Sequence, residues 1–505
     1  MSKSPSPVSS ANPFFNFSRL IFPVLVLAVM IACGGNSSGP RNVGGGGGGG
    51  GSRTVNDMLF AADFNNIATH SAGWCPTDSQ GNVGAVTTLR IWDSGMKWAN
   101  IETAAGTFDW SKMDLTVNTL ATNPNCAMSI IYTHGNTPIW ASTCAGQPDP
   151  SPCLPGPTPS YGGGTQCAPG DGSLDYSCLP PSDVDSDGTG TDLQFQTFVN
   201  ALVTRYAGKI AYYEVWNEAD SPNFWCPGGG ATGCSDSTGS IKQMIRMGWD
   251  EYNIVHCADP KAKVLSPSFH GFSAGPGGWM NLYSTTQINA PAGSIGSCSW
   301  NAATVTGKQT FDITNFHGRG SPTSDPTGFL AVYNVAVGEI NRDNLPTPDG
   351  GFFDDENGYI GSADAPTVDL QAAYVSISYV LRASVTNPAI TLSGWYAWDS
   401  GQAPLENSDA GLAYDVTAGW LSGSTLTNGC TTVGTVYSCS GTTSKGKPFT
   451  IIWDMGLSQS CLTACTTSNQ PLPVSTYTTW TDLKGNSNQI SGGSVPVGYK
   501  PILIE

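Results

Sequence analysis

Charge is scarce in this chain. Only 12% of its 505 residues are Asp, Glu, Lys or Arg, and the formal net charge is −17. An acidic surface repels a phosphate backbone, which excludes nucleic acid as a partner. Histidine occurs five times, and no two cysteines stand in a Cys-x-x-Cys pair. A zinc centre is therefore not expected, nor is a metal site assembled from several strand ends. No Gly-rich phosphate-binding loop follows the first strand-like segment, which sets aside a doubly wound nucleotide-binding sheet. The N-terminal apolar run Leu20–Ala32 is shorter than the ~20 residues a membrane-spanning helix needs. Disorder is excluded for most of the chain, because aromatics make up 10% of it and tryptophan occurs 15 times.

The first segment has the layout of a targeting signal. Lys3 and Arg19 precede the apolar run, which ends in Met30-Ile31-Ala32-Cys33. A small residue before Cys at the end of such a run resembles the bacterial lipobox, with an ordinary signal peptide as the alternative. The resemblance implies a secreted protein anchored to the cell envelope through a lipid on Cys33. Residues 1–33 are then a lipoprotein signal and its lipidated Cys. Fourteen of the 15 cysteines remain, an even number that permits up to seven disulfides in an oxidising compartment. The close pairs Cys226/Cys234, Cys430/Cys439 and Cys461/Cys465 can staple local loops, although spacing leaves the connectivity open. Residues 34–55, with Gly44–Gly51 unbroken glycine, read as a flexible tether.

From residue 56 short apolar runs alternate with amphipathic stretches, the pattern of an α/β fold. Eight strands are predicted: Met58–Phe64, Val86–Trp92, Ala127–Thr133, Ile210–Trp216, Val264–Ser268, Phe311–Phe316, Gly351–Asp355 and Leu392–Trp398. Five helices are predicted between them: Ser111–Ala121, Leu193–Tyr206, Ile241–His256, Phe329–Ile340 and Val368–Ala383. Eight strands separated by helices fit a (β/α)8 TIM barrel over residues 56–427. The Pro-, Gly- and Cys-rich insertion Ala141–Thr191 follows the third strand and is expected to shape the cleft. Residues 428–505 read as a small C-terminal antiparallel β domain, β-sandwich-like, with short runs Thr435–Cys439, Phe449–Asp454, Val474–Trp480 and Pro501–Glu505 separated by turns.

Two strands run into acids. Tyr212-Tyr213-Glu214-Val215-Trp216-Asn217-Glu218 ends the fourth, and Phe352-Phe353-Asp354-Asp355-Glu356-Asn357-Gly358 ends the seventh. On a barrel both lie at the C-terminal mouth, where chemistry is carried out. Cleavage of a glycosidic bond needs two carboxyl groups facing each other across it, one protonated and one ionised. Strand alternation turns Asp355 to the opposite face of a continuing strand, which favours Glu356 or Asp354 as the second acid. Glu214 reads as a structural, paired carboxylate. Trp140, Trp225 and Trp395 are candidates to stack on a sugar face, each with burial in the core as the alternative.

Trp-Asn-Glu closing strand four, with Glu closing strand seven, resembles the clan A glycoside hydrolases, most of all family 39 and neighbouring groups. The resemblance spans roughly residues 56–505. It includes Arg90 in Leu89-Arg90-Ile91-Trp92, and Trp98–Trp110, which matches a W-x-x-I-E-x-x-x-G-x-F-D-W stretch. It also includes Thr137-Pro138-Ile139-Trp140 and the strand-eight end Trp395-Tyr396-Ala397-Trp398. It implies a retaining hydrolase of O-glycosyl bonds in a polysaccharide or oligosaccharide, working without metal or cofactor. Glu218 would be the acid/base and Glu356 the nucleophile. Asn217 would bind the sugar 2-hydroxyl, Arg90 would keep Glu356 ionised, and His317 would lie between the two acids. Trp395 would floor the site, with Trp140 at its side. Where many members have His-x-Tyr, this chain has His317-Gly318-Arg319, which leaves the support of the nucleophile to Arg319 or Tyr359. The alternative to an enzyme is a surface lipoprotein that binds glycans without cleaving them. Separately, Asp183-Val184-Asp185-Ser186-Asp187-Gly188 resembles half of a calcium loop whose twelfth position is Gln194, with Asp192 able to cap the next helix instead.

Overall fold

The computed structural model describes residues 41–42, 52–70, 73–120, 123–142, 176–177, 179–221, 224–225, 238–269, 275–318, 326–358, 367–400, 404–472 and 476–505. The expected signal peptide, Cys33, most of the tether and of the 141–191 insertion, Cys226, Cys234, Arg319 and Tyr359 lie outside them. No helix among the described residues is long and apolar enough to cross a membrane.

Eight parallel strands form the central sheet: β1 Phe60–Asp63, β2 Thr88–Ile91, β3 Ser129–Thr133, β4 Tyr212–Glu214, β5 Lys263–Leu265, β6 Asn315–Phe316, β7 Gly351–Asn357 and β8 Ala389–Trp395. Their order is β5-β4-β3-β2-β1-β8-β7-β6, and a parallel bridge from Leu265 to Ile313 joins the two ends. The sheet is therefore the expected closed barrel, and each predicted strand overlaps an observed one. Between the strands lie α1 Ser111–Leu120, α2 Leu193–Arg205, α3 Thr238–Ala258, α4 Trp279–Thr285, α5 Phe329–Asp343 and α6 Val368–Ser384, with α7 Asp409–Leu421 after β8. Among its described residues the β1–β2 connection carries a 3-10 turn at Ile67–Thr69 and an antiparallel bridge from Thr77 to Val83. A disulfide from Cys75 to Cys126 ties it to the segment entering β3.

Helices α4 and α7 were not predicted, and the reason for α7 is physical. Ala410, Gly411, Leu412, Ala413, Tyr414, Thr417, Ala418, Trp420 and Leu421 are all buried, so this helix has no polar stripe and no amphipathic period to read. Ser408 caps it, its Oγ accepting from Gly411 N at 3.1 Å. Two small hairpins, Gln287–Ala290 with Ala303–Thr306 and Gly293–Ile295 with Cys298–Trp300, also interrupt the path to β6. The Cys257–Cys298 disulfide pins them to α3.

The C-terminal antiparallel sheet contains Thr425–Val433, Val436–Thr442, Pro448–Asp454, Ile502–Ile504, Thr479–Thr481 and Ser487–Gln489 in that spatial order. The disulfides Cys430–Cys439 and Cys461–Cys465 lie in this region. Ser52–Thr54, inside the stretch expected to be a tether, pairs with Thr425–Thr427 in the same sheet. Arg53 is buried there and donates to the carbonyls of Arg382 at 2.9 Å and Val385 at 2.8 Å. It thereby satisfies acceptors left open at the C-terminus of α6.

Inside the barrel, Ala61, Ile131, Leu265, Ile313, Phe353 and Leu392 form one apolar layer, with Tyr212 and Met58 packed against it. Side chains two residues further along a strand face the same way. The next layer toward the mouth therefore carries Asp63, Thr133, Glu214 and Asp355, and Arg90 of β2 lies among them. The interior changes from hydrocarbon to charge in one step, and that step places the site.

Candidate active site

Arg90 is the hub of the charged layer and is fully buried. Its Nη1 lies 3.0 Å from Asp63 Oδ1 and 2.7 Å from Glu356 Oε2. Its Nη2 lies 2.9 Å from Glu214 Oε2 and donates to Asn217 Oδ1 at 2.7 Å, while Nε lies 2.9 Å from Asp355 Oδ2. Burial opposes the charge on Arg90, but Asp355, Glu214 and Asp63 outweigh it and hold the guanidinium well above its ordinary range. Burial also pushes the carboxyls of Asp63 and Glu214 up, each to about 7, against the pull of Arg90. Thr133 Oγ1 donates to Glu214 at 2.6 Å.

Glu218 follows β4 by four residues. Its backbone φ is 41°, in the left-handed region that a non-glycine residue adopts at a cost and that recurs at functional sites. The turn is held by Glu218 N donating to Ser268 Oγ at 3.0 Å and Ala219 N to Ser268 O at 3.2 Å. Asn217 N donates to His134 O at 3.0 Å. These bonds project Glu218 from β4 toward His317, whose Nδ1 lies 2.8 Å from Glu218 Oε1. On the other side of the ring, His317 Nε2 is 3.4 Å from Asp355 Oδ1 and 3.6 Å from Glu356 Oε2. Carboxylate oxygens of Glu218 and Glu356 come within 4.8 Å of each other.

The three consecutive acids of β7 separate, one outward and two inward. Asp354 turns outward, where its Oδ2 accepts from Arg382 Nε of α6 at 2.6 Å and its Oδ1 from Gly318 N at 2.7 Å. Asp355 and Glu356 both reach Arg90. The strand register shifts between Asp354 and Asn357, and a bulge of this kind sets two successive side chains on one side. Counted from Phe353 inside the barrel, alternation turns Asp354 out and Asp355 in, and the bulge sets Glu356 on the side of Asp355. Asp355, which the expectation turned away from the mouth, is therefore part of the charged layer, and Asp354 is not. Burial opposes the charge of Asp355, yet Arg90 and His317 bring its carboxyl down to about 2. Burial likewise opposes protonation of His317, but Asp355 and Glu218 outweigh it and raise the imidazole to about 9.

Of the aromatic candidates, Trp395 is only 1% exposed and Trp225 only 2%. Trp395 sits near Tyr379 of α6, ring centroids 6.4 Å apart, and Trp225 packs edge-on against Trp216 at 5.1 Å. Neither offers an open face to a sugar, which corrects the floor role expected of Trp395. Trp140 is half-buried, and its Nε1 donates to Glu102 O at 2.9 Å. The side chain of Glu102 in turn accepts from Trp98 Nε1 and Gly106 N, each at 2.8 Å. The Trp98–Trp110 stretch is thus a scaffold that fixes Trp140. At the rim, Tyr396 Oη donates to Asp93 Oδ2 at 2.6 Å and accepts from Asn65 Nδ2 at 3.2 Å. That clasp joins the loops after β1, β2 and β8.

Two residue sets, Glu214/His317/Asp355 and Glu218/His317/Glu356, hold donor atoms within 4.8 Å of one another. Both sets share His317, whose Nδ1 and Nε2 each lie against a carboxylate. The Asp183–Asp187 loop is occupied by its own hydroxyls. Thr191 Oγ1 donates to Asp183 at 2.8 Å and Thr189 Oγ1 to Asp187 at 2.5 Å, while Gln194 N donates to Asp183 at 3.2 Å. Asp183, and not Asp192, gives the side-chain cap at the start of α2.

Asp63, Asp355 and the backbone of His134 are site components that sequence reasoning missed. Asp63 carried a usable signal, an apolar strand running into an acid, as in Glu218.

No protein-family model and no curated protein matches the chain. Similar solved structures include a family 39 glycoside hydrolase from the gut symbiont Bacteroides cellulosilyticus WH2. It is 13% identical, with a TM-score of 0.55 over 89% of this chain and 82% of that one. A glycoside hydrolase family 30 subfamily 8 xylanase from Clostridium acetobutylicum is 12% identical, with a TM-score of 0.48 over 90% of this chain and 97% of that one. A family 44 xyloglucanase from Paenibacillus polymyxa is also 12% identical, with a TM-score of 0.48 over the same shares. At this identity the first of these likenesses shows a common fold, the barrel with its appended β region.

Proposed function

We propose that the protein is a retaining glycoside hydrolase, with Glu218 as general acid/base and Glu356 as nucleophile. The observation that carries this reading is the meeting of two carboxylates from β4 and β7, within 4.8 Å at the barrel mouth. Retaining enzymes hold their acids ~5–5.5 Å apart, whereas inverting enzymes leave ~6.5–9.5 Å for a water.

In the first step an oxygen of Glu356 bonds to the anomeric carbon as the glycosidic C–O bond breaks. The proton on Glu218 passes to the leaving oxygen. In the second step Glu218, now a carboxylate, takes a proton from water, whose oxygen bonds to the anomeric carbon and releases Glu356. Arg90, 2.7 Å from Glu356 Oε2, keeps the nucleophile ionised. Asn217 has its oxygen engaged by Arg90, so its amide N–H groups are the donors it offers to a sugar hydroxyl. The substrate class is a β-linked plant or microbial polysaccharide or oligosaccharide. The likeness to a family 39 glycoside hydrolase fold supports this, as does the resemblance of the motifs to family 39, whose activities are of xylosidase, arabinosidase or glucanase type.

The test is a panel of polysaccharides and aryl glycosides assayed with wild type, Glu218→Gln and Glu356→Gln. Each variant should lose at least ~10²-fold in kcat, the low end of what a positioned acid/base contributes. Azide should restore turnover to Glu356→Gly and give the inverted glycosyl azide. Full activity in a Glu356 variant would overturn the assignment. Sugar binding without hydrolysis by wild type would favour the binding-protein reading.

A further inference from the structure

We propose that a cavity between the outer wall of the barrel and the C-terminal sheet is a second, non-catalytic site for a neutral sugar chain, with Trp480 as its stacking platform. The proposal rests on the proposed function only for the class of ligand, since the cavity stands without it.

The cavity measures about 320 Å³, at the small end of the ~300–1,000 Å³ range of ligand sites. Packed elements leave few voids larger than a water, so an opening of this size is a separate feature of the fold. Asp369 and Asp409 line it from the first turns of α6 and α7. A barrel helix starts at the C-terminal rim of the strand before it. The cavity therefore lies on the outside of the barrel, at the same end as Glu218 and Glu356. The facing wall comes from the C-terminal region and includes Trp480, Asp482, Lys484 and Lys500. Trp480 is half-buried on the strand Thr479–Thr481 and packs against the apolar cluster that contains Ile452, Val495 and Ile502.

Two ion pairs share the cavity with the indole. Lys500 Nζ lies 2.8 Å from Asp369 Oδ1, and Lys484 Nζ lies 3.2 Å from Asp409 Oδ2. Asp482 shapes the turn that presents Lys484, its Oδ1 accepting from Lys484 N at 2.9 Å. An ammonium carries three donors and a carboxylate about four lone-pair sites, so one contact leaves each group able to bond again. Each pair thus offers a donor and an acceptor side by side, which suits two neighbouring hydroxyls of a sugar. The C–H face of the same sugar packs on an aromatic ring. An anion suits the cavity less. Three aspartates line it against two lysines, both lysines are neutralised by their partners, and the whole chain carries −17. A polysaccharide held here and at the mouth together gains effective concentration at the reacting acids.

The experiment titrates hexasaccharides of β-linked xylose and of β-linked glucose by calorimetry into the full chain carrying Glu218→Gln, which prevents cleavage. At least one of the two probes should bind at two sites per chain. Adding Trp480→Ala should weaken one site at least ~10-fold, as truncation of a central aromatic anchor does, and leave the other unchanged. Trp480→Tyr, which keeps a ring, should retain most of the affinity. Lys484→Ala removes a donor whose exposed ion pair contributes little to the fold, and it should weaken the same site several-fold. It decides the question if Trp480→Ala does not fold. With Glu218 intact, Trp480→Ala should leave kcat and KM on an aryl glycoside unchanged and raise KM on the polysaccharide. Binding that neither Trp480→Ala nor Lys484→Ala alters overturns the proposal. So does a Trp480→Tyr site as weak as the Ala one, binding of inorganic phosphate in preference to both sugars, or no binding of either probe. If the mouth binds no sugar, the proposed function fails, while a single site lost in Trp480→Ala still supports the cavity.

Discussion

Replacing Arg90 with Met keeps the hydrocarbon stem and deletes the guanidinium. That group lies within ion-pair distance of Asp63, Glu214, Asp355 and Glu356 and donates to Asn217. Breaking one buried ion pair typically costs about 3–5 kcal/mol, and here the loss should reach at least that. The loss should also depend on pH in a defined direction. A carboxyl whose folded pKa exceeds its unfolded value weakens the fold as pH rises from the unfolded value through the folded one. Asp63 is raised from 3.8 to about 7 and Glu214 from 4.5 to about 7, both with Arg90 pulling them down. Without Arg90 both rise further. If each climbs by about one unit, the variant loses a further ~2 kcal/mol by pH 8 that it does not lose near pH 5, at about 1.4 kcal/mol per unit for each group once fully titrated. Urea unfolding followed by tryptophan fluorescence at the two pH values measures this. A deficit below about 1 kcal/mol would refute the hub reading. An equal deficit at both pH values would refute the account of Asp63 and Glu214.

Two further outcomes are expected around β7. Asp354→Asn leaves Arg382 buried without its 2.6 Å carboxylate partner. It should cost about 3–5 kcal/mol in urea unfolding, with Arg382→Met adding little in the double variant; additive losses would contradict a direct pair. Gly394→Ala places a Cβ 2.2 Å from the carbonyl oxygen of Asp355, and overpacking of this kind costs about 1–3 kcal/mol. Because the clash falls on the backbone of Asp355, next to Glu356, the variant should also lower kcat in the proposed reaction. A Gly394→Ala protein with wild-type stability and activity would show that close packing at this point of β8 does not position the acids of β7.

The barrel was legible because burial on both faces makes each strand a short apolar run, and because helices α1, α2, α3, α5 and α6 carry a polar face. Helix α7 was not, since the barrel and the C-terminal region bury it nearly all round. Glu218, Glu356, Asn217, Arg90 and His317 were legible because each stands at or beside a strand end. The sequence could not show how they interlock. Arg90 touches residues from β1, β4 and β7, and no spacing along the chain encodes that convergence. Asp355 was misread for a local reason: alternation counted back from Glu356 turns it away, but the register shift after Asp354 sets Glu356 and Asp355 on one side. Trp395 was misread because an aromatic residue at a strand end serves equally as a sugar platform and as packing against a helix, here Tyr379 of α6.

The charged layer also bears on why a neutral substrate would react here. With Glu218 protonated as the acid, the carboxyls of Asp63, Glu214, Asp355 and Glu356 still outnumber the two basic groups Arg90 and His317 inside a closed sheet, and the layer is negative once Asp63 and Glu214 are ionised. The excess of negative charge does little for an uncharged sugar ring at rest. In the proposed reaction the anomeric carbon gains positive charge only as the glycosidic bond stretches, and the field of the layer then acts on it. An interaction that appears only in the transition state raises kcat without tightening ground-state binding. The raised carboxyls of Asp63 and Glu214 tune that field: both take up protons as pH falls through about 7, and the negative potential behind the reacting pair falls with it. On this account kcat should decline on the acid side before either reacting carboxylate is titrated, while KM stays nearly constant. The layer beneath the mouth, and not only the two acids at its surface, would set the acid limb of the profile.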